Sequence, residues 1–241
     1  MVNAVTILSC VIAYLLGAIP SAVWVGRTFW GIDVREYGSG NAGATNTFRV
    51  LGKKAGIPVL LMDIGKGYLA VQLATLIAMY LTEINDFKIF GFDVDPASIK
   101  TPLVETQQFV NFKLALGVCA LLGHIFPVYA GFRGGKGVAT TLGIVAGVNP
   151  KAALICFGIF GVTFLLTNFI SLSSMIAGFS FPLVIWLVFG ETIATMNVFA
   201  MAVAIIILIT HQRNIERLFK GEESKIFLIK RKNTEIAEDQ D

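Results

Sequence analysis

Charge is what this sequence has least of. Only 15% of its 241 residues are Asp, Glu, Lys or Arg, while 55% are hydrophobic. A soluble domain carries roughly 25% charged residues, so a soluble globule of this size would lack a polar coat. The same numbers exclude a disordered chain, a collagen-like repeat and a nucleic-acid-binding domain. Cysteine is scarce as well, and Cys10, Cys119 and Cys156 all lie in apolar stretches. Their spacing fits no metal or redox motif, and an odd number leaves no complete disulfide framework. They read as small buried hydrophobes. No Lys or Arg precedes Arg27, so the first apolar stretch lacks the basic head of a secretory signal and reads as a retained anchor. The absence of an internal repeat of fixed period counts against an inverted-repeat transporter.

Long hydrophobic runs are abundant. A helix needs about 20 apolar residues to cross about 30 Å of hydrocarbon. The runs at 4–26, 55–81, 110–130, 137–148, 151–168, 171–190 and 195–211 predict an all-α, polytopic bundle of seven transmembrane helices, the fourth of them short. The segments 27–54, 131–136, 169–170 and 211–241 hold 14 of the 19 basic residues. This bias places them in the cytoplasm, with the amino terminus outside and the carboxyl terminus inside. Loop 82–109, carrying Glu83, Asp86, Asp93, Asp95 and Glu105, is then external, and residues 226–241 form a cytoplasmic tail. The chain reads as a single domain, 1–241.

Four polar clusters fall on the basic side. The first runs from Gly38 through Ser39, Gly40, Asn41, Gly43, Thr45 and Asn46 to Arg49. Glycines allow close backbone approach, and successive N–H groups with hydroxyl and amide side chains form an anion-binding concavity. Arg49 adds a bidentate grip. A plain turn-rich surface loop is the other reading. The second cluster, Gly134-Gly135-Lys136-Gly137, opens an apolar run. It is no Walker A loop, because Ala130 stands where that motif needs glycine and Gly137 where it needs Ser or Thr. Free N–H groups, a helix dipole and an ammonium still suit a phosphate; a glycine turn with snorkelling bases is the alternative. Nearby His124 reads as structural. Ser171, Ser173 and Ser174 form a third cluster, readable as helix caps. In the fourth, His211 and Asn214 share one helix face, near Arg213 and Arg217. Asp63 and Lys66 are charges within a span, spaced either to pair with each other or to reach a ligand.

These stretches carry a family resemblance. GSGNAGATNTFR at 38–49, GHIFPVYAGFRGGKGVAT at 123–140, SLSS at 171–174 and HQRNIERLFKGEES at 211–224 resemble the bacterial acyl-phosphate:glycerol-3-phosphate acyltransferases, the PlsY family. The departures are loop 82–109 and the tail beyond Lys225. The resemblance implies a multi-pass inner-membrane enzyme, its active site facing the cytoplasm, making lysophosphatidate and phosphate from acyl phosphate and glycerol 3-phosphate. It implies no metal or organic cofactor, and the expected partners are those substrates and membrane lipid, with no nucleic acid; the chain is expected to be a monomer. By the same resemblance Ser39, Arg49, Lys136, His211 and Asn214 are catalytic. Gly38, Gly40, Asn41, Gly43, Thr45, Asn46, Gly134, Gly135, Gly137 and Ser171 bind substrate, and Glu223, Asp63 and Lys66 are structural supports near the site. Phosphate is already a good leaving group, so direct attack by the glycerol hydroxyl is expected, with either His211 or a substrate phosphate taking the proton. A transporter of a phosphorylated metabolite is the competing reading; it would need polar residues along a continuous path, whereas these gather at one face.

Overall fold

The computed structural model describes residues 4–81, the backbone at 88–89 and 92–93, and residues 107–226. Most of the expected external loop, and the tail beyond Ile226, lie outside the described residues. The helices are α1 (Ala4–Gly17), α2 (Ser21–Trp30), α3 (Ala44–Leu51), α4 (Lys53–Leu81), α5 (Gln107–Ile125), α6 (Val138–Val148), α7 (Pro150–Thr167), α8 (Ile170–Leu183), α9 (Ala194–Thr210) and α10 (Gln212–Phe219). A two-residue antiparallel pairing, Lys88–Ile89 with Phe92–Asp93, is the only strand pairing among the described residues.

Every predicted apolar run is helical, but not every run is one straight span. Four helical segments are long and apolar enough to cross a membrane alone: Lys53–Ala78, Gln107–Ala130, Pro150–Thr167 and Ile170–Val188. Two more arise if each bent pair counts as one span: α1 with α2, bent by 42°, and α9 with α10, bent by 58°. Helix α6 has 11 residues, about 16 Å at 1.5 Å per residue, and so covers half the hydrocarbon depth. Length therefore supports four to six full crossings where the sequence pattern predicts seven.

The break in the first run has a clear origin. Pro20 has no N–H to donate and disfavours helical backbone at Ile19. At the break the Ile19 carbonyl accepts from the Ser21 amide at 3.0 Å and from Lys66 Nζ at 2.9 Å. Lys66 in turn pairs with Asp63 at 2.9 Å, and Ser21 Oγ donates to the same carboxylate at 3.0 Å. The two charges inside α4 are thus partners that also repair the broken helix beside them, which is how buried charge is tolerated at membrane depth.

Helix packing relies on small residues, as expected where lipid removes the usual hydrophobic drive. A Cβ at Gly17 would sit 2.0 Å from the Ala120 carbonyl, and one at Gly123 2.2 Å from that of Tyr14, so α1 and α5 touch backbone to backbone. Gly67 against Thr140 and Gly143 against Ile64 join α4 and α6 in the same way. The largest core cluster, including Leu121, Ile144, Ile185, Met196 and Val203, draws α5 through α9 together. This frame gathers all four polar clusters around one cavity.

Candidate active site

The first polar loop is held open by one side chain. Asn46 is fully buried near the start of α3. Its Oδ1 accepts from the Ser39 amide at 2.8 Å and from Ser39 Oγ at 3.1 Å, and its Nδ2 donates to the Val34 carbonyl at 2.7 Å and the Tyr37 carbonyl at 3.1 Å. Gly38 has φ +61, and a Cβ there would lie 2.5 Å from Asn46 Oδ1. Only glycine lets the loop close on its brace. Helix α3 begins at Gly43 with no side-chain cap, so its leading N–H groups remain available beside Thr45. Arg49 is exposed on the same helix and lines the cavity.

The second loop is moulded onto His124. The Gly135 amide donates to the His124 carbonyl at 3.2 Å. A Cβ at Gly134 would meet that carbonyl at 2.0 Å, and one at Gly135 would meet His124 Nε2 at 2.2 Å. These two glycines are therefore demanded by packing. Gly137, with φ +84, starts α6 with no side-chain cap. Between them Lys136 turns inward, and its ammonium hydrogen-bonds Asn214 Oδ1. Burial pushes the Lys136 pKa down to about 8; Glu223 opposes this, while Arg217 and Arg49 add to it.

Glu223 is the hub of the far wall. Its Oε1 accepts from Ser171 Oγ and Asn214 Nδ2, both at 2.7 Å, and its Oε2 pairs with Arg217 Nε at 2.9 Å. Burial pushes the Glu223 carboxyl up, but the hydrogen bonds from Ser171, Asn214 and Arg217 outweigh it and hold the group below its ordinary value. The Ile226 amide ties this segment to the Asn168 carbonyl at 2.9 Å. Ser173 and Ser174 bond carbonyls of their own helical turn instead, so Ser171 alone of the three joins the network. His211 sits at the bend between α9 and α10, and its Nδ1 lies 2.7 Å from the Ile207 carbonyl. A carbonyl only accepts, so Nδ1 carries the proton and Nε2 keeps its lone pair.

These groups line a cavity of about 230 Å³. Its polar head contains Ser39, Asn41, Gly43, Thr45, Asn46, Arg49, Lys136, Gly137, Ser171, His211, Asn214, Arg217 and Glu223. Its apolar arm runs between α7, α8 and α9 past Phe157, Phe160, Gly178, Phe181 and Val203. Asp63 reaches the wall, while Lys66 stays behind it. Gly38, Gly40, Gly134 and Gly135, expected to bind substrate, do not line the cavity; Gly38, Gly134 and Gly135 shape the loops from behind. Asn46 lines it, but its amide is committed to the loop. Arg217, which the sequence places only near the His211–Asn214 pair, is drawn into the site by its ion pair with Glu223. Among the described residues, no three His, Cys, Asp or Glu gather as a metal site.

Membrane-length helices around a cavity with a cationic head and an apolar arm define an integral membrane protein shaped for amphiphilic anions. The comparisons with known proteins agree. The family model for glycerol-3-phosphate acyltransferase matches residues 7–221. The glycerol-3-phosphate acyltransferases of Staphylococcus carnosus and Listeria monocytogenes are each 40% identical, over 91% of this chain and 97% and 96% of theirs. That of Chlorobaculum parvum is 37% identical over 89% of this chain and 94% of its own. The crystal structure of PlsY, an integral membrane glycerol 3-phosphate acyltransferase, in its glycerol 3-phosphate form superposes with a TM-score of 0.73 at 32% identity, covering 93% of this chain and 96% of that one. Its lysophosphatidic acid form gives 0.70 at 31% over the same shares. The chain belongs to the glycerol-3-phosphate acyltransferase family and is an integral membrane acyltransferase.

Proposed function

We propose that this enzyme transfers a fatty acyl group from an acyl phosphate to the 1-hydroxyl of glycerol 3-phosphate, releasing lysophosphatidate and phosphate. The observation that carries this reading is the join between the cationic head and the apolar arm within one cavity. An acyl phosphate has the same two-part shape, and its anhydride carbon would lie at the join. In this reading Arg49, Lys136, Ser171, His211 and Asn214 hold glycerol 3-phosphate, and Ser39 with the N–H groups around Gly43 and Thr45 holds the acyl phosphate. Two anions are brought together by fixed donors, which contribute proximity and charge stabilisation. The glycerol oxygen attacks the acyl carbon, phosphate departs with the electron pair of the broken C–O bond, and His211 Nε2 takes the hydroxyl proton. Ser39 is spoken for by Asn46 and has no base beside it, so no acyl-serine is formed.

The enzyme works as a single domain and a monomer in the bacterial inner membrane, its cavity head open to the cytoplasm and its amino terminus outside. The concentration of Arg27, Arg35, Arg49, Arg133, Lys136, Arg213 and Arg217 at that end supports this orientation. Seven membrane segments fit it if α6 counts as a part-depth segment. The deciding assay gives purified enzyme glycerol 3-phosphate with either palmitoyl phosphate or palmitoyl-CoA. Turnover of the phosphate is expected; turnover of the CoA ester alone would refute the donor assignment.

A further inference from the structure

We propose that Arg35 is a positioning residue that locks the loop bearing Ser39 to the loop bearing Lys136 and so sets the spacing at which the two substrates meet. The proposal rests on the functional reading above. Arg35 follows α2, four residues before Ser39, and does not line the cavity, yet its side chain is only 14% exposed. One edge of its guanidinium is fixed on Asp33: Nε lies 3.0 and 3.2 Å from the two carboxylate oxygens and Nη2 2.7 Å from Oδ2. The Arg35 amide also donates to Asp33 Oδ1 at 3.0 Å, and Arg27 Nη2 holds Oδ2 at 2.9 Å. The carboxylate is thereby committed to a single orientation. The remaining nitrogen, Nη1, crosses to the second loop and donates to the Ala130 carbonyl at 2.7 Å, with the Arg133 carbonyl at 3.5 Å.

Among the described residues, no other hydrogen bond joins 33–43 to 126–137. Ala130 is also where the second loop reverses. Gly131 and Phe132 follow with φ +63 and +59, and a bulky residue takes that backbone only where its surroundings impose it. The strut therefore grips the loop at its turning point, six residues before Lys136, while Gly135 on His124 fixes the other end. A planar fork can hold a carboxylate with one edge and a carbonyl with the other; an ammonium on a flexible stem cannot.

The test compares Arg35→Ala, Arg35→Lys, Asp33→Ala and the Arg35→Ala/Asp33→Ala double variant with wild type and with the surface control Lys220→Ala. In each, kcat and KM for glycerol 3-phosphate and palmitoyl phosphate and the thermal midpoint are measured. Loop spacing is read separately from paired spin labels on cysteines placed at the exposed Tyr37 and Phe132, with the three native cysteines replaced. With midpoints preserved, kcat should fall by about 10- to 100-fold, the scale of a misplacement of about 1 Å, while both KM values hold. The double variant should be no worse than either single, Arg35→Lys should not restore kcat, and the label distances should broaden. Unchanged kcat, a loss confined to KM, or distances as narrow as in Lys220→Ala would overturn the strut. If wild type itself turned over neither donor, the functional reading would fail, while the label distances would still decide the strut.

Discussion

His211 shows how one backbone contact prepares a side chain for chemistry. The Ile207 carbonyl fixes the protonated nitrogen, and the other, on a residue of the cavity wall, is the base in the proposed reaction. Replacing His211 with Ala should lower kcat by about 10²–10⁴-fold, the usual contribution of a positioned base; full activity at saturating substrate would pass the base role to a substrate phosphate. In the proposed reaction Lys136 sets a pH limit. Its pKa of about 8 means the ammonium is present below that pH and lost above it. The KM for glycerol 3-phosphate should therefore rise as pH passes about 8, which a pH series of initial rates will show. Glu223 raises the Lys136 pKa, so Glu223→Gln should move that rise to lower pH. Much at this scale was legible in the sequence: a glycine-rich loop, a Gly-Gly-Lys turn and a His–Asn pair announce themselves by composition. The hub was not. Ser171 and Glu223 are 52 positions apart, and nothing local says that one carboxylate ties Ser171, Asn214 and Arg217 together. Nor does composition say whether Asn46 binds a ligand or braces a loop, since the residue type suits both.

Elements here are positioned by the absence of side chains. The contact between α4 and α6 has Gly67 and Gly143 facing each other's helix backbone. Gly143→Val should destabilise the bundle by roughly 1–3 kcal/mol, the range for forced overpacking, seen as a lower thermal midpoint in detergent. Because α6 follows directly on Gly137, next to Lys136, activity should fall with it. The long helices are readable from apolar runs, but α3 and α10, which lie outside those runs, and the bends are not. A run at 4–26 looks continuous by hydropathy, although Pro20 within it already forbids an unbroken ladder. The shortness of α6 is legible, because only twelve residues separate the glycine turn ending at Gly137 from Pro150.

At the scale of the whole molecule, the asymmetric distribution of bases is the statement to test. Single cysteines at Phe132 and at Glu191, in an enzyme whose native cysteines are replaced, should be modified from opposite sides of sealed vesicles. Labelling of both from one side would refute the proposed orientation. The count of spans was the least legible global property, since hydropathy counts runs and takes no account of bends or of how deep a short helix reaches.

Phe157 belongs to the apolar arm of the cavity, yet it is 55% exposed on the outer face of α7. The cavity wall is in that place also the outer surface of the protein. In the proposed reaction, one substrate then arrives by diffusion in two dimensions and the other in three. The effective concentration of the proposed acyl phosphate would then be its mole fraction in the surrounding lipid, not its amount per volume. Diluting it with inert lipid at constant bulk concentration should slow the reaction, and adding the same lipid should leave the dependence on glycerol 3-phosphate unaltered.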